Sequence, residues 1–290
     1  MCAVRPACTS VGVSRTGGMV PESKGELMGK PIELGTLLFT MVEPHKGHEV
    51  DYNRWYETDH FYGGCMVAQY NFAGDRFVAT RDLKELRYPK ESPMTPDPTV
   101  GSYLAIYWVL KGHHDDWNRW SVDMVHQLHA SGRMFAQRDH IHTVLYEKAW
   151  SIQKDERGTP VEQALDRNYD GIIVNVGELN EGHTHAELEA WTRDEWAPRA
   201  MSKKWGPDLI PNALPLPLLD DAPAEIPRMK NADRRFLQIH FVDHDPKKKW
   251  DKGYANFGAD LEASGIGTHL WTSPFKQTVF GTDKYTDKLW

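Results

Sequence analysis

Apolar residues alternate with polar ones in some stretches of this chain and recur at helical spacing in others, and the two patterns take turns. Residues 34–43 alternate and carry large apolar side chains, which predicts a strand. Within 49–62, Tyr52, Trp55, Tyr56 and Phe61 follow a helical period, and Gly63-Gly64 is expected to stop that helix. Residues 65–80 predict a second strand, broken near 71–75. The stretch 82–100, punctuated by Pro89, Pro93, Pro96 and Pro98, reads as a loop. A third strand over 102–110, a helix over 115–131 ended by Gly132, and a long strand over 133–148 complete a β-α-β-β-α-β order.

The same order returns. The segment from Leu104 to Trp117 recurs from Leu237 to Trp250, each copy an alternating strand, a polar turn and a tryptophan-led helix. His142-Thr-Val-Leu and Gln277-Thr-Val-Phe match at nearly the same offset, as do Val42-Glu43 and Gly177-Glu178. The second half predicts a strand over 171–178 and a helix over 184–203 capped by Thr184. After a proline-broken stretch over 207–228 come a strand over 235–242, a helix over 246–264 and a strand over 268–282. Units of roughly 135 residues are domains rather than solenoid repeats. The expected organisation is a disordered tail over 1–32, a first domain over 33–150, a polar linker over 151–169 holding Gly158-Thr-Pro160, and a second domain over 170–290. The fold class is α+β. Each βαββαβ unit predicts a ferredoxin-like sandwich with both helices on one sheet face. The bare faces of two tandem repeats would then close on each other around a ligand cavity.

Strand alternation sorts side chains by face. Leu104, Ile106 and Trp108 match Leu237, Ile239 and Phe241, and Leu37, Phe39 and Met41 match Ile172, Val174 and Val176; these uniformly apolar sets are assigned to the helix side. Ile141 and Leu145 go with them. The opposite set, Thr40, Tyr103, Tyr107, His140, His142, Asn175, Gln238 and His240, is assigned to the space between the sheets. A half-solvated sheet also carries polar residues, but these are amides, imidazoles and phenols interleaved with aromatics, which suits an apolar pocket with a few orienting groups.

Bulk properties narrow the function. A net charge of −7 argues against a nucleic-acid groove. No apolar run reaches the roughly 18 residues of a membrane helix, and residues 1–28 lack the apolar core of a secretory signal. Cys2, Cys8 and Cys65 follow neither metal nor disulfide spacing, which points to a reducing, cytoplasmic setting. The histidine pairs His183/His185, His113/His114 and His126/His129 lack carboxylate or thiolate partners at a spacing that closes a metal site, so none is expected. Eleven tryptophans supply pocket walls as well as core.

The most chemical segment is Asp51-Tyr-Asn-Arg-Trp55-Tyr56-Glu-Thr-Asp-His60, in which Tyr56 and His60 share a helix face. With the strand before it and its βαββαβ setting, the segment resembles the EthD-like branch of the dimeric α+β barrel superfamily, whose first helix carries an aromatic-aromatic-x-x-x-His motif. The resemblance spans most of 33–149 and, more weakly, 170–283. It departs from the pattern where Phe61-Tyr62-Gly63 replaces the proline that often follows the histidine. In the second copy Glu195 aligns with His60 and Trp191 with Tyr56.

The resemblance implies a tandem, intramolecular dimeric α+β barrel with one active cavity, in the first half. It implies cofactor-free oxygenation, cyclisation or isomerisation of a bulky apolar or aromatic substrate, with haem-dependent peroxidase or dehydratase chemistry as an alternative. On that basis His60 is the base, with Tyr56 and His240 beside it. Thr40, Trp55, Tyr103, Tyr107, His140, His142, Asn175 and Gln238 bind substrate, and His240 or His142 would serve a haem. His60 equally suits a plain helix-end cation. A non-catalytic binder of an apolar ligand is the third reading, and the fused unit is a candidate for homodimerisation.

Overall fold

The computed structural model describes residues 31–290 apart from positions 96, 223, 225, 227, 230 and 231, so the tail expected over 1–32 falls almost wholly outside the described residues. Eight strands form the core: β1 (Leu34–Pro44), β2 (Asn71–Val78), β3 (Tyr103–Leu110), β4 (Arg138–Gln153), β5 (Gly171–Leu179), β6 (Leu209–Pro215), β7 (Arg235–Val242) and β8 (Gly267–Gln277). They close into one antiparallel barrel in the order β1-β3-β2-β8-β5-β7-β6-β4. The first four strands therefore lie as β4-β1-β3-β2 and the last four as β8-β5-β7-β6, two runs of the same pattern. The seams are β4 against β6, and a short pairing of Phe77 and Val78 with Gln277 and Lys276.

One apolar cluster takes side chains from every strand, among them Phe39, Phe77, Ile106, Val144, Val174, Leu209, Ile239 and Trp271, all buried. A cluster shared by all eight strands at alternating positions can only be the barrel interior. This reverses the expected sidedness of β1, β3, β5 and β7. Leu37, Phe39, Met41, Leu104, Ile106 and Trp108 fill the inside with their second-half counterparts, and no open chamber separates the sheets there. The physical reason is closure: eight strands leave an interior just wide enough for side chains to fill. Residues facing a sealed interior have no route to water, so they are the uniformly apolar ones. The mixed polar and aromatic set, His142 excepted, faces outward, under the helices.

Those helices are α1 (Glu49–Trp55), α2 (Arg81–Lys84), α3 (His114–Ala130), α4 (His185–Trp191), α5 (Ala197–Met201) and α6 (Phe257–Ser264). Thr184 caps α4 as expected: its hydroxyl accepts from Glu187 N, and its own N–H donates to the Glu187 carboxylate at 2.7 Å. Several boundaries differ from expectation, among them the second strand, expected over 65–80 with a break near 71–75, which covers Asn71–Val78 through the expected break. Gly63-Gly64 does not stop the first helix, which continues past Trp55 in π-helical turns at Tyr56–His60 and Tyr62–Met66. β4 starts later and runs to Gln153, into the segment expected as linker. The stretch 246–264 is helical only from Phe257, after short 3-10 turns. No helix among the described residues is long and apolar enough to cross a membrane.

Candidate functional site

In an α-helix residues i and i+5 lie about 140° apart around the axis. The π-helical turn, closed by Phe61 N–H donating to Tyr56 O, changes that and brings Trp55 and His60 together. Their rings stack with centroids 4.6 Å apart and planes 19° off parallel. Tyr56 meets the same imidazole edge-on at 5.2 Å. A Cβ at Gly64 would sit 2.8 Å from the Nδ1 and Cε1 atoms of His60. The ring thus rests on bare glycine backbone. Its Nδ1 is buried without a hydrogen-bond partner among the described residues. Burial, with the charge of Arg138 nearby, lowers the His60 pKa to about 3, so the imidazole is neutral.

His60 forms part of the wall of a cavity between the outer sheet face of the first half and its helices. The space open to the centre of a water molecule is about 100 Å³, against the roughly 10–15 Å³ that one water needs. Leu38, Val42 and Leu145 form its floor and Trp117, Val122 and Val125 of α3 its side. Leu218, Ala222 and Ile226, from the connection between β6 and β7, close over it. Tyr56 and Cys65 also line it. Burial raises both, Cys65 to about 12 and Tyr56 well above its ordinary value, so thiol and phenol stay protonated. Their neighbour Tyr107 receives or gives a 2.8 Å hydrogen bond with the Tyr56 hydroxyl.

The polar end of the cavity is built on β1 and β4. Thr40 and Thr143 are cross-strand partners whose hydroxyls are 2.8 Å apart. Thr143 Oγ1 lies 2.9 Å from His140 Nδ1, and His140 Nε2 lies 3.4 Å from an Arg138 nitrogen. Residues i and i+3 of a regular strand face opposite ways, yet His140 and Thr143 both face the helices. A β-bulge explains it: Met41 pairs with His142 and Val42 with His140, leaving Ile141 unopposed. The Arg138 guanidinium packs over the Trp55 ring at 5.1 Å, so one indole steadies both His60 and Arg138.

The structure divides the residues expected to form one site. Thr40, Tyr56, His60 and His140 share the cavity wall. Trp55 and Tyr107 stand behind it, while Tyr103 packs on Tyr52 at 5.3 Å with the Arg76 guanidinium 5.2 Å from its ring. His142 points into the barrel interior, where its Nε2 is 2.8 Å from the Tyr146 hydroxyl and its ring meets Phe39. Asn175, Gln238 and His240 belong to the other half. There Thr272 donates to Asn175 at 2.7 Å, and the His240 ring lies within 3.3 Å of both the Asn175 amide and the Gln238 amide. His240 is covered by Trp196 at 5.0 Å and is not beside His60 as expected. The π-helical turn Thr192–Trp196 corresponds in place to Tyr56–His60, which sets Trp196, rather than Glu195, opposite His60. Sequence reasoning missed Arg138, Thr143, Cys65 and the inner face of α3. The last had a signal: Asn118, Ser121, Val122 and Val125 follow i, i+3, i+4, i+7 spacing.

A haem does not fit the residues assigned to hold one. An axial histidine must turn a free nitrogen toward an open space, whereas His142 is sealed in the barrel and His240 lies fully buried under Trp196 and Phe257. Among the described residues, no three or more His, Cys, Asp or Glu side chains gather as a metal site.

No family model matches this chain, and no curated protein matches it. Among solved structures it is similar to an anthrone oxidase-like protein, at 9% identity and a TM-score of 0.47, with 87% of this chain and 98% of that one covered. It is also similar to a haem-bound variant of DypB from Rhodococcus jostii, at 8% identity and a TM-score of 0.44, covering 89% and 96%. A dye-decolorizing peroxidase from Bacteroides thetaiotaomicron aligns at 11% identity and a TM-score of 0.43, covering 90% and 98%.

Proposed function

We propose that the chain is a small-molecule enzyme that removes a proton from an acidic carbon or phenol of an apolar or aromatic substrate, with His60 as the base and no cofactor taking part. The observation that carries this reading is a neutral imidazole, its Nδ1 unpaired among the described residues, at the wall of an apolar cavity whose polar end holds Thr40, Thr143, His140 and Arg138. Charge balance decides how such a base can act. A histidine held near pKa 3 is a weak base in isolation. Inside the cavity, however, the proton it accepts leaves an oxyanion a few ångströms away, and the new imidazolium and oxyanion stabilise each other with little water between them. The positive charge of Arg138, which disfavours the imidazolium alone, favours the oxyanion. The cofactor-free cyclase, isomerase and monooxygenase types all begin with this step. We also read the two matching strand runs as a fused duplication of an EthD-like unit that kept its working cavity in the first half.

The test uses 2-indanone, a compact bicyclic ketone with acidic benzylic hydrogens. In D2O the base takes a proton, the carbon–hydrogen electron pair moves to the carbonyl oxygen, and the enolate collects a deuteron from the exchanged imidazolium. Proton NMR is expected to record loss of the benzylic signal faster than in buffer, slowed at least about 100-fold by His60→Gln. Exchange at the buffer rate, or undiminished in the variant, refutes the mechanism; binding without exchange would leave a ligand carrier.

A further inference from the structure

The hydrogen atoms at the polar end of the cavity can be counted. A guanidinium only donates, so the Arg138 contact makes His140 Nε2 the acceptor and places the imidazole hydrogen on Nδ1. That N–H is given to Thr143 Oγ1. Thr40 and Thr143 then share one hydrogen bond between two hydroxyls, which uses one of their two hydrogens. Whichever hydroxyl donates in the pair, the other keeps a hydrogen with no acceptor among the described residues, and both side chains line the cavity. Trp117, which lines the cavity, supplies a second case: its indole N–H, which can only donate, is buried without a partner among the described residues. A buried donor left unmade is costly, so these two hydrogens call for an acceptor brought by a ligand.

We infer that the Thr40/Thr143 pair, backed by His140 and Arg138 and assisted by Trp117, is an acceptor-selecting anchor that admits apolar ring compounds carrying a carbonyl or phenolate oxygen. The anchor rests on the proposed cavity reading but not on any proton abstraction. The β-bulge at Ile141 is what makes it possible, since it sets His140 and Thr143 on one face. The relay also transmits charge. Arg138 polarises His140, whose Nδ1–H polarises Thr143, so the free hydroxyl becomes a better donor as negative charge grows on the ligand oxygen.

The test compares 2-indanone with indane, which has the same ring skeleton without the oxygen, by ligand-observed NMR titration of the full chain. The wild type is expected to bind the ketone about tenfold tighter, in line with one well-placed hydrogen bond. Either threonine alone can still offer a hydrogen, so Thr40→Val and Thr143→Val singly are expected to keep most of the preference. The double variant is expected to lose it while holding indane affinity within about twofold, which also reports that its cavity is folded. A second measurement needs no variant: the infrared carbonyl band of bound 2-indanone shifts to lower frequency than in an alkane solvent. Equal affinity for the two compounds, a preference that survives the double variant, or an unshifted carbonyl band would each overturn the anchor. Failure of both compounds to bind removes anchor and cavity reading together, whereas a ketone preference without deuterium exchange removes only the base.

Discussion

At the scale of single residues, Gly64 decides where the His60 imidazole can be. The missing side chain leaves room that a methyl group would take, 2.8 Å from two ring atoms and inside normal van der Waals contact. Gly64→Ala therefore has to tilt the ring off Trp55. In helical terms the substitution is favourable, since alanine is about 1 kcal/mol better than glycine in a helix interior. The expected outcome is a split: 2-indanone exchange falls about tenfold while the thermal midpoint holds or rises, because misplacing a reacting group is costly even when the fold is intact. Unchanged exchange would show that the ring does not depend on this contact. The sequence made the glycine pair visible but suggested a different role, a helix stop. Nothing in a helical periodicity separates a glycine that ends a helix from one that clears space for a side chain four residues earlier.

At the scale of elements, the turn carrying Tyr56 and His60 is held from beneath by a buried ion pair. Arg76 on β2 donates to Glu57 and to Asn53, both at 3.0 Å, and lies 4.4 Å from the Tyr56 ring. The chain after β8 ties down the same turn: Gly281 N–H donates to the other Glu57 oxygen at 2.8 Å, and Asn53 donates to Thr282 O at 2.9 Å. Both charges are buried, so Arg76→Met leaves an unpaired carboxylate and is expected to cost about 3–5 kcal/mol in urea unfolding. Glu57→Gln added to Arg76→Met is expected to restore part of it, because the stranded charge is then gone. A loss below about 1 kcal/mol for Arg76→Met would mean that water reaches the pair.

Element positions were largely legible in the sequence, because alternation and helical spacing record which residues avoid water. β7 appeared at its full extent, and β1 and β5 to within a residue. Which face of a strand is the inside was not legible. Alternation gives two sets, and both faces of this sheet are covered, one by the opposite strands and one by helices. Bulges and π-helical turns each insert one residue into a regular repeat, and two of them shape the site, at Ile141 and at Tyr56–His60. The periodicity that located the elements therefore misread the site, placing His142 where Thr143 stands.

For the whole molecule, the buried histidines set the response to acid. Burial lowers His142, His240 and His60 to about 3 and His269 to about 4, all below their value in an unfolded chain. Between the unfolded value near 6.5 and these folded values, the unfolded chain binds protons that the native state refuses. Their contribution is present in full above about pH 6.5 and is lost as pH falls toward the folded values, at roughly 1.4 kcal/mol per pH unit for each histidine. Two buried carboxyls act the other way. Burial raises Asp75 to about 7 and also raises Glu43, so these groups favour the native state more as pH falls. Four histidines outweigh two carboxyls, and the urea midpoint is expected to drop steadily from pH 6.5 to pH 4.5. His142→Gln, which removes one of the titrating rings from the barrel interior, is expected to flatten that slope by about one proton's worth while lowering the midpoint at pH 7. A midpoint that holds or rises over the same range would mean that these histidines are already charged in the native state, and a charged His142 is incompatible with an interior packed against Phe39 and Tyr146.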